Sequence, residues 1–132
     1  MYISKDNYII QEIRNQTQSE FIPTKSVITR WFNIFNEEIF DDKINPFHEI
    51  EIKRKQGCHA EHIPLEDDRG KIYATLSMNE RFNNKNEFLF TLAHEMVHQW
   101  QWMYLTGSDH GETFWKWKSR LAKFEIPLGV SI

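Results

Sequence analysis

Between Thr91 and Trp100 the chain reads Thr-Leu-Ala-His-Glu-Met-Val-His-Gln-Trp, so that His94, Glu95 and His98 form an H-E-x-x-H sequence. Histidines four apart project from the same face of an α-helix, and both imidazoles can then reach one Zn²⁺ at about 2.0–2.1 Å. Glu95 sits between them and leans to one side. There it addresses a water on the metal rather than the metal itself. The competing reading is two solvent-facing helical histidines with an unrelated glutamate between them.

A zinc ion that is to do catalysis needs a third protein ligand and an open position. The candidates are His110 and Glu112, followed by His48, His59 and His62. His110 stands out because it lies just past Thr106-Gly107, where the helix is expected to end. A tight reversal there brings it back over the metal face. A cysteine site is excluded, since Cys58 is the single cysteine. With no C-x-x-C spacing, Cys58, His59 and His62 read as incidental neighbours at a turn.

These residues require a helix, and its signals are present. Asn84 followed by Glu87 resembles a capping box, ahead of a periodic stretch from Phe88 to about Leu105. Leu89, Leu92, Ala93, Met96, Val97, Trp100, Met103 and Tyr104 fill one arc, which must face the core. The histidine face lies opposite and is expected to look into a cleft. Ser108 or Asp109 can cap a last helix, whose stripe of Phe114, Trp117, Leu121 and Phe124 stops before Pro127.

Upstream, Thr24 can cap a helix running to about Asp41, with Val27, Ile28, Trp31, Ile34, Phe35 and Ile39 on one side. His48–Lys55 alternates as a half-buried strand. Pro64–Gly70 reads as an acidic loop tip, and Lys71–Asn79 as the clearest strand, expected to line the cleft and pair with an extended substrate. Residues 1–23, with polar stretches such as Gln16-Thr17, settle on neither period and stay unassigned. Residues 24–132 are taken as one domain. The expected fold class is α+β: a packing helix, a short sheet, the metal-bearing helix and a closing helix.

Composition narrows the function classes. The 132 residues are 40% hydrophobic and 14% aromatic with a net charge of −3, which excludes disorder, collagen-like repeats and a global pull toward nucleic acid. No run of 18 apolar residues occurs, and the first residues carry charges where a signal peptide needs an apolar stretch. A cytoplasmic protein without a membrane span is therefore expected, with a place at the nucleoid or nucleus if it works on DNA.

Phe35–Asp41, the strand Ile72–Asn79, the block Thr91–His98 and His110-Gly111-Glu112-Thr113-Phe114 come in an order that resembles SprT-like (Spartan-type) zinc metallopeptidase domains, over roughly residues 24–124. The most specific element is H-E-x-x-H paired with a downstream H-G-x-x-F. The resemblance implies a zincin-like fold, one Zn²⁺ held by His94, His98 and His110, Glu95 as the catalytic residue, and peptide hydrolysis on proteins associated with or crosslinked to DNA. Many such proteins add a cysteine-rich zinc ribbon or long tails, which this sequence does not show, and what those additions confer is not carried over.

Further candidates follow. Tyr73 or Tyr104 is an available hydroxyl donor for a developing oxyanion. Lys116, Arg120 and Lys123 fall at i, i+4 and i+7 of the last helix as a basic stripe for phosphates, and Trp102 and Trp115 as platforms for bases; the plainer reading of both is solvated surface. Lys53-Arg54-Lys55 is a second basic cluster. Glu38 either orients a ligand histidine or simply reaches solvent. Two functions compete: a zinc-dependent peptidase acting on protein or peptide, and a non-catalytic module whose zinc site stabilises a DNA- or protein-binding scaffold. Glu95 favours the enzyme, because a structural zinc site takes four ligands and uses no general base.

Overall fold

A computed structural model describes residues 3–15, 18–105 and 109–129 of the chain. The expected helix end at Thr106-Gly107, the cap at Ser108 and the polar pair Gln16-Thr17 lie outside the described residues. The elements run α1 (Tyr8–Arg14), α2 (Lys25–Glu38), β1 (Glu49–Ile52), β2 (Ala60–Glu66), β3 (Ile72–Met78), α3 (Lys85–Leu105), α4 (Glu112–Trp115) and α5 (Lys118–Ala122). The sheet order is β1-β3-β2, with β1 parallel and β2 antiparallel to β3. This is the expected small α+β architecture.

Helix α2 starts where Thr24 Oγ1 accepts the Val27 N–H at 3.1 Å. It buries Ile28, Trp31, Phe32 and Phe35, so Phe32 takes a core place that the sequence pattern gave to Ile34. Just past its end, Asp41 and Asp42 adopt positive φ, of 55° and 59°. The segment left unassigned by pattern forms α1, capped by Asn7, and puts Ile9 and Ile13 into the core beside α2 and α3. Seven residues are too few for periodicity to announce a helix; the core contact supplies what propensity does not.

Strand β2 reaches further than the acidic-loop reading allowed. Pro64, Leu65 and Glu66 belong to it, and the turn is only Asp67–Gly70, closed by Gly70 at φ +82° and by Asp67 Oδ1 accepting the N–H groups of Arg69 and Lys71. A proline is tolerated because even-numbered residues of β2 turn their backbone groups away from β3. The paired positions are the odd ones, as the bonds Asn79 N–H to His59 and Asp67 N–H to Lys71 show.

That topology corrects the expected role of Lys71–Asn79. β3 is the central strand, paired along its length by β2 and over Thr75–Met78 by β1, so it has no free edge for an added strand. The edge nearest α3 belongs to β2.

Helix α3 carries a second correction. It is buried on nearly all sides from Asn86 to Gln101, not along one arc. The sheet packs against one flank and α4 against another, so His94 and His98 are themselves buried. The closing helix is in fact two pieces. A 3₁₀-type bond from Trp117 N–H to the Phe114 carbonyl separates α4 from α5, although Phe114, Leu121 and Phe124 are buried as expected.

Candidate metal centre

His94 and His98 lie one turn apart on α3, and His110, on the segment that leads into α4, lies beside them. Their three Nε2 atoms form a triangle with sides of 3.2, 3.2 and 3.3 Å. Ligand nitrogens about 2.0–2.1 Å from a tetrahedral ion are about 3.3–3.4 Å apart, so the triangle has the dimensions of three corners of such a site. No described His, Cys, Asp or Glu outside these three joins the cluster. Glu112, His48, His59 and His62, the other candidates for third ligand, are therefore set aside.

The protonation states agree with that reading. Burial lowers the pKa of His94 to about 3, helped by the neighbouring His98, and that of His98 to about 4. Both rings are thus neutral at pH 7 and can offer a nitrogen lone pair. On His98 the other nitrogen, Nδ1, faces Gln101 Oε1 at 2.9 Å, which places the proton there and leaves Nε2 bare. Three nitrogens this close cannot all carry protons. In the absence of a cation their lone pairs repel, so the donor set fits a metal ion.

Phe114 explains why a phenylalanine follows His110 by four residues. Its ring is fully buried and lies 4.8–5.0 Å from all three imidazoles, forming the apolar floor that keeps them together. His110 itself is exposed, so the triangle is closed by protein beneath and open to solvent on the His110 side. Three ligands with an open side would leave a bound ion a free coordination position.

Glu95 is 3% exposed, and burial raises its pKa to about 8. The backbone N–H of His62, an outward-facing group of β2, opposes that shift by donating to the carboxylate. His62 is not the incidental turn neighbour that its sequence context suggests: its Nε2 pairs with Gln99 Oε1 at 2.7 Å, and its ring lies 6.4 Å from that of His98. Nothing local to Cys58-His59-Ala60-Glu61-His62 signals this, because the strand pairing that brings it to α3 is long-range. Two buried glutamines, Gln99 and Gln101, were likewise missed. Their signal was available: polar residues inside an apolar helix require partners.

The remaining candidates sit elsewhere. Tyr104 is exposed, six residues beyond His98 and so about 9 Å along the helix, with its hydroxyl donating to the Lys43 carbonyl. Tyr73 packs edge-on against His48 and shares a cavity with Gln99 and Trp102. Trp102 is half-buried and donates its indole N–H to the Tyr73 carbonyl at 2.8 Å, so it is no exposed platform. Lys116 lies 4.2 Å over the Trp100 ring, and Arg120 donates to the Ile39 and Glu38 carbonyls at the end of α2. With the helix broken at Trp117, the three cations do not form a continuous stripe. Lys123 and Trp115 remain at the surface. Glu38 is exposed and accepts from Asn7 Nδ2, and His59 pairs with Glu87.

No helix among the described residues is long and apolar enough to cross a membrane. No curated protein matches the sequence. Residues 28–131 match the model of the SprT-like family, a span that takes in most of α2, the sheet, α3 and the His110 segment. With most of its length matched, the chain belongs to the SprT-like family.

Proposed function

We propose that the protein is a zinc-dependent peptidase whose centre is His94, His98 and His110 with Glu95 as general base. The observation that carries this reading is the Nε2 triangle, 3.2–3.3 Å on a side and open toward solvent, with a buried carboxyl on the residue next to its first ligand. Zinc held there supplies Lewis-acid chemistry, acidifying water and polarising a carbonyl oxygen. The carboxyl oxygens of Glu95 take up the proton released as water attacks the peptide carbon and return it to the leaving amine. Burial favours the protonated carboxyl, while a cation held by the three histidines would favour the carboxylate that accepts the proton, so the two opposing influences make both states accessible at Glu95. The substrate lies as an extended peptide along the edge of β2 that faces away from β3, the edge on which the His62 backbone N–H meets Glu95.

By the family's resemblance the substrates are proteins associated with or crosslinked to DNA, reached through surface cations and aromatics around α4 and α5, among them Lys116, Lys123 and Trp115. The test is digestion of a DNA-binding protein by wild type and Glu95→Gln, with and without single-stranded DNA, alongside metal analysis. One zinc per chain, and cleavage abolished by Glu95→Gln, is expected. Cleavage that depends on DNA supports the DNA-linked substrate, and cleavage indifferent to it refutes that part alone. Zinc binding with no cleavage under either condition refutes the peptidase.

A further inference from the structure

Gln101 is 1% exposed and sits on α3 three residues past His98. A primary amide so deeply buried must satisfy its donors and its acceptor, and it does so in one orientation. Its Oε1 faces His98 Nδ1 at 2.9 Å, while its Nε2 donates to Thr113 Oγ1 at 2.9 Å and to Asp109 Oδ1 at 3.3 Å. The two partners on the Nε2 side flank His110 in the chain. The same Asp109 oxygen accepts the Gly111 N–H at 2.9 Å, which shapes the turn that carries His110. One side chain thus touches the ring of one ligand and both sides of the segment that delivers another.

The orientation is not arbitrary. Asp109 Oδ1 already accepts the Gly111 N–H and so presents an acceptor to Gln101, which turns the NH₂ toward it and the amide oxygen toward His98. An oxygen facing Nδ1 requires the proton to be on Nδ1, which leaves Nε2 with its lone pair directed at the triangle. Rotating the amide by half a turn would set two oxygens against each other at Asp109 and put an N–H against Nδ1, moving the proton onto the nitrogen the metal needs.

We infer that Gln101 is the positioning residue of this centre: relayed from Asp109, it sets the tautomer of His98 and holds the His110 segment at the distance at which the third nitrogen meets the other two. This rests on the metal reading proposed above and assigns the geometry of that site to a residue outside it. Gln101 touches neither metal nor substrate, and its effect passes through His98 and His110.

The experiment compares wild type and Gln101→Met, which keeps the length of the side chain and removes its polar atoms. In metal-free protein near pH 7, long-range proton–nitrogen NMR reads the histidine tautomers: wild-type His98 is expected as Nδ1–H, and Gln101→Met as predominantly Nε2–H. In competition with a chromophoric chelator, zinc affinity should fall by about 10–100-fold in the variant, and the cobalt-substituted form should lose d–d band intensity as tetrahedral coordination is lost. A wild-type Nε2–H tautomer, or a variant with unchanged affinity and cobalt spectrum, overturns the inference. Should Gln101→Met not fold, Thr113→Val decides, since it removes one outward bond of the amide and leaves the His98 contact: several-fold weaker zinc binding is expected, and wild-type affinity overturns the tie to the His110 segment. A wild type that holds no zinc fails the metal reading itself, whereas one that binds zinc as tightly as its variants fails only the role of Gln101.

Discussion

Glu95→Gln in metal-free protein tests the burial of Glu95 without reference to catalysis. Burial raises this carboxyl from an ordinary 4.5 to about 8. Between those values the folded chain holds a proton that the unfolded chain releases, so stability falls as pH rises through the window and the loss is complete above about pH 8. At about 1.4 kcal/mol per pH unit, the full separation corresponds to a ceiling of about 5 kcal/mol. About 1 kcal/mol of it is present at pH 5 and about 4 kcal/mol at pH 8. Glutamine keeps an oxygen for the His62 N–H and has no charge to bury. The assay is urea unfolding of both proteins in the presence of a chelator from pH 5 to 9. Wild type should become less stable relative to Glu95→Gln by about 3–4 kcal/mol between pH 5 and pH 8, a large share of a small domain's total stability. His94 and His98 act with the opposite sign, their lowered pKa values costing stability as pH falls below about 6.5, but both proteins share them and the difference cancels them. Adding zinc should narrow the gap, because a nearby cation favours the carboxylate. A gap that does not change with pH would show that Glu95 is not buried as described.

Three further outcomes are expected. His110→Ala should leave the metal-free protein within about 0.5 kcal/mol of wild type, because the residue is exposed, yet should abolish the rise in melting temperature that zinc produces; a retained rise would refute His110 as a ligand. Phe114→Ala should cost about 3–5 kcal/mol in unfolding free energy and, at temperatures where the variant is still folded, weaken zinc binding, since the ring supports all three imidazoles; unchanged affinity would refute its role as the floor. Thr24→Ala should cost about 1 kcal/mol by loss of the cap on α2, read by urea unfolding, with no effect on zinc binding.

Which features were legible in the sequence follows from how local their causes are. Thr24 with its following apolar stripe, Asn84 with Glu87, and the alternation of Ile72–Met78 each act within a few residues, and each has its expected counterpart. At the start of α3 the glutamate even completes the cap, although its carboxylate reaches Asn83 rather than Asn84. Helix α1 was not legible because its stability comes from seating Ile9 and Ile13 in a core built from distant segments. The break at Trp117 escaped for a related reason: the buried stripe of Phe114, Leu121 and Phe124 is satisfied by two short helices as well as by one.

For the centre, the H-E-x-x-H spacing by itself determined that two imidazoles share a helix face with a carboxyl between them, because 3.6 residues per turn leaves no alternative once the helix forms. The sequence also held His110 and Phe114 at a spacing that matched a family. Only the tertiary structure decided that His94 and His98 are buried while His110 stands at the open side, that β3 is central and β2 is the edge strand beside α3, and that His62 and Gln101 support the site. Each of those outcomes depends on strand order or on a chain reversal, and such long-range pairings leave no mark on the periodicity of the segments they bring together.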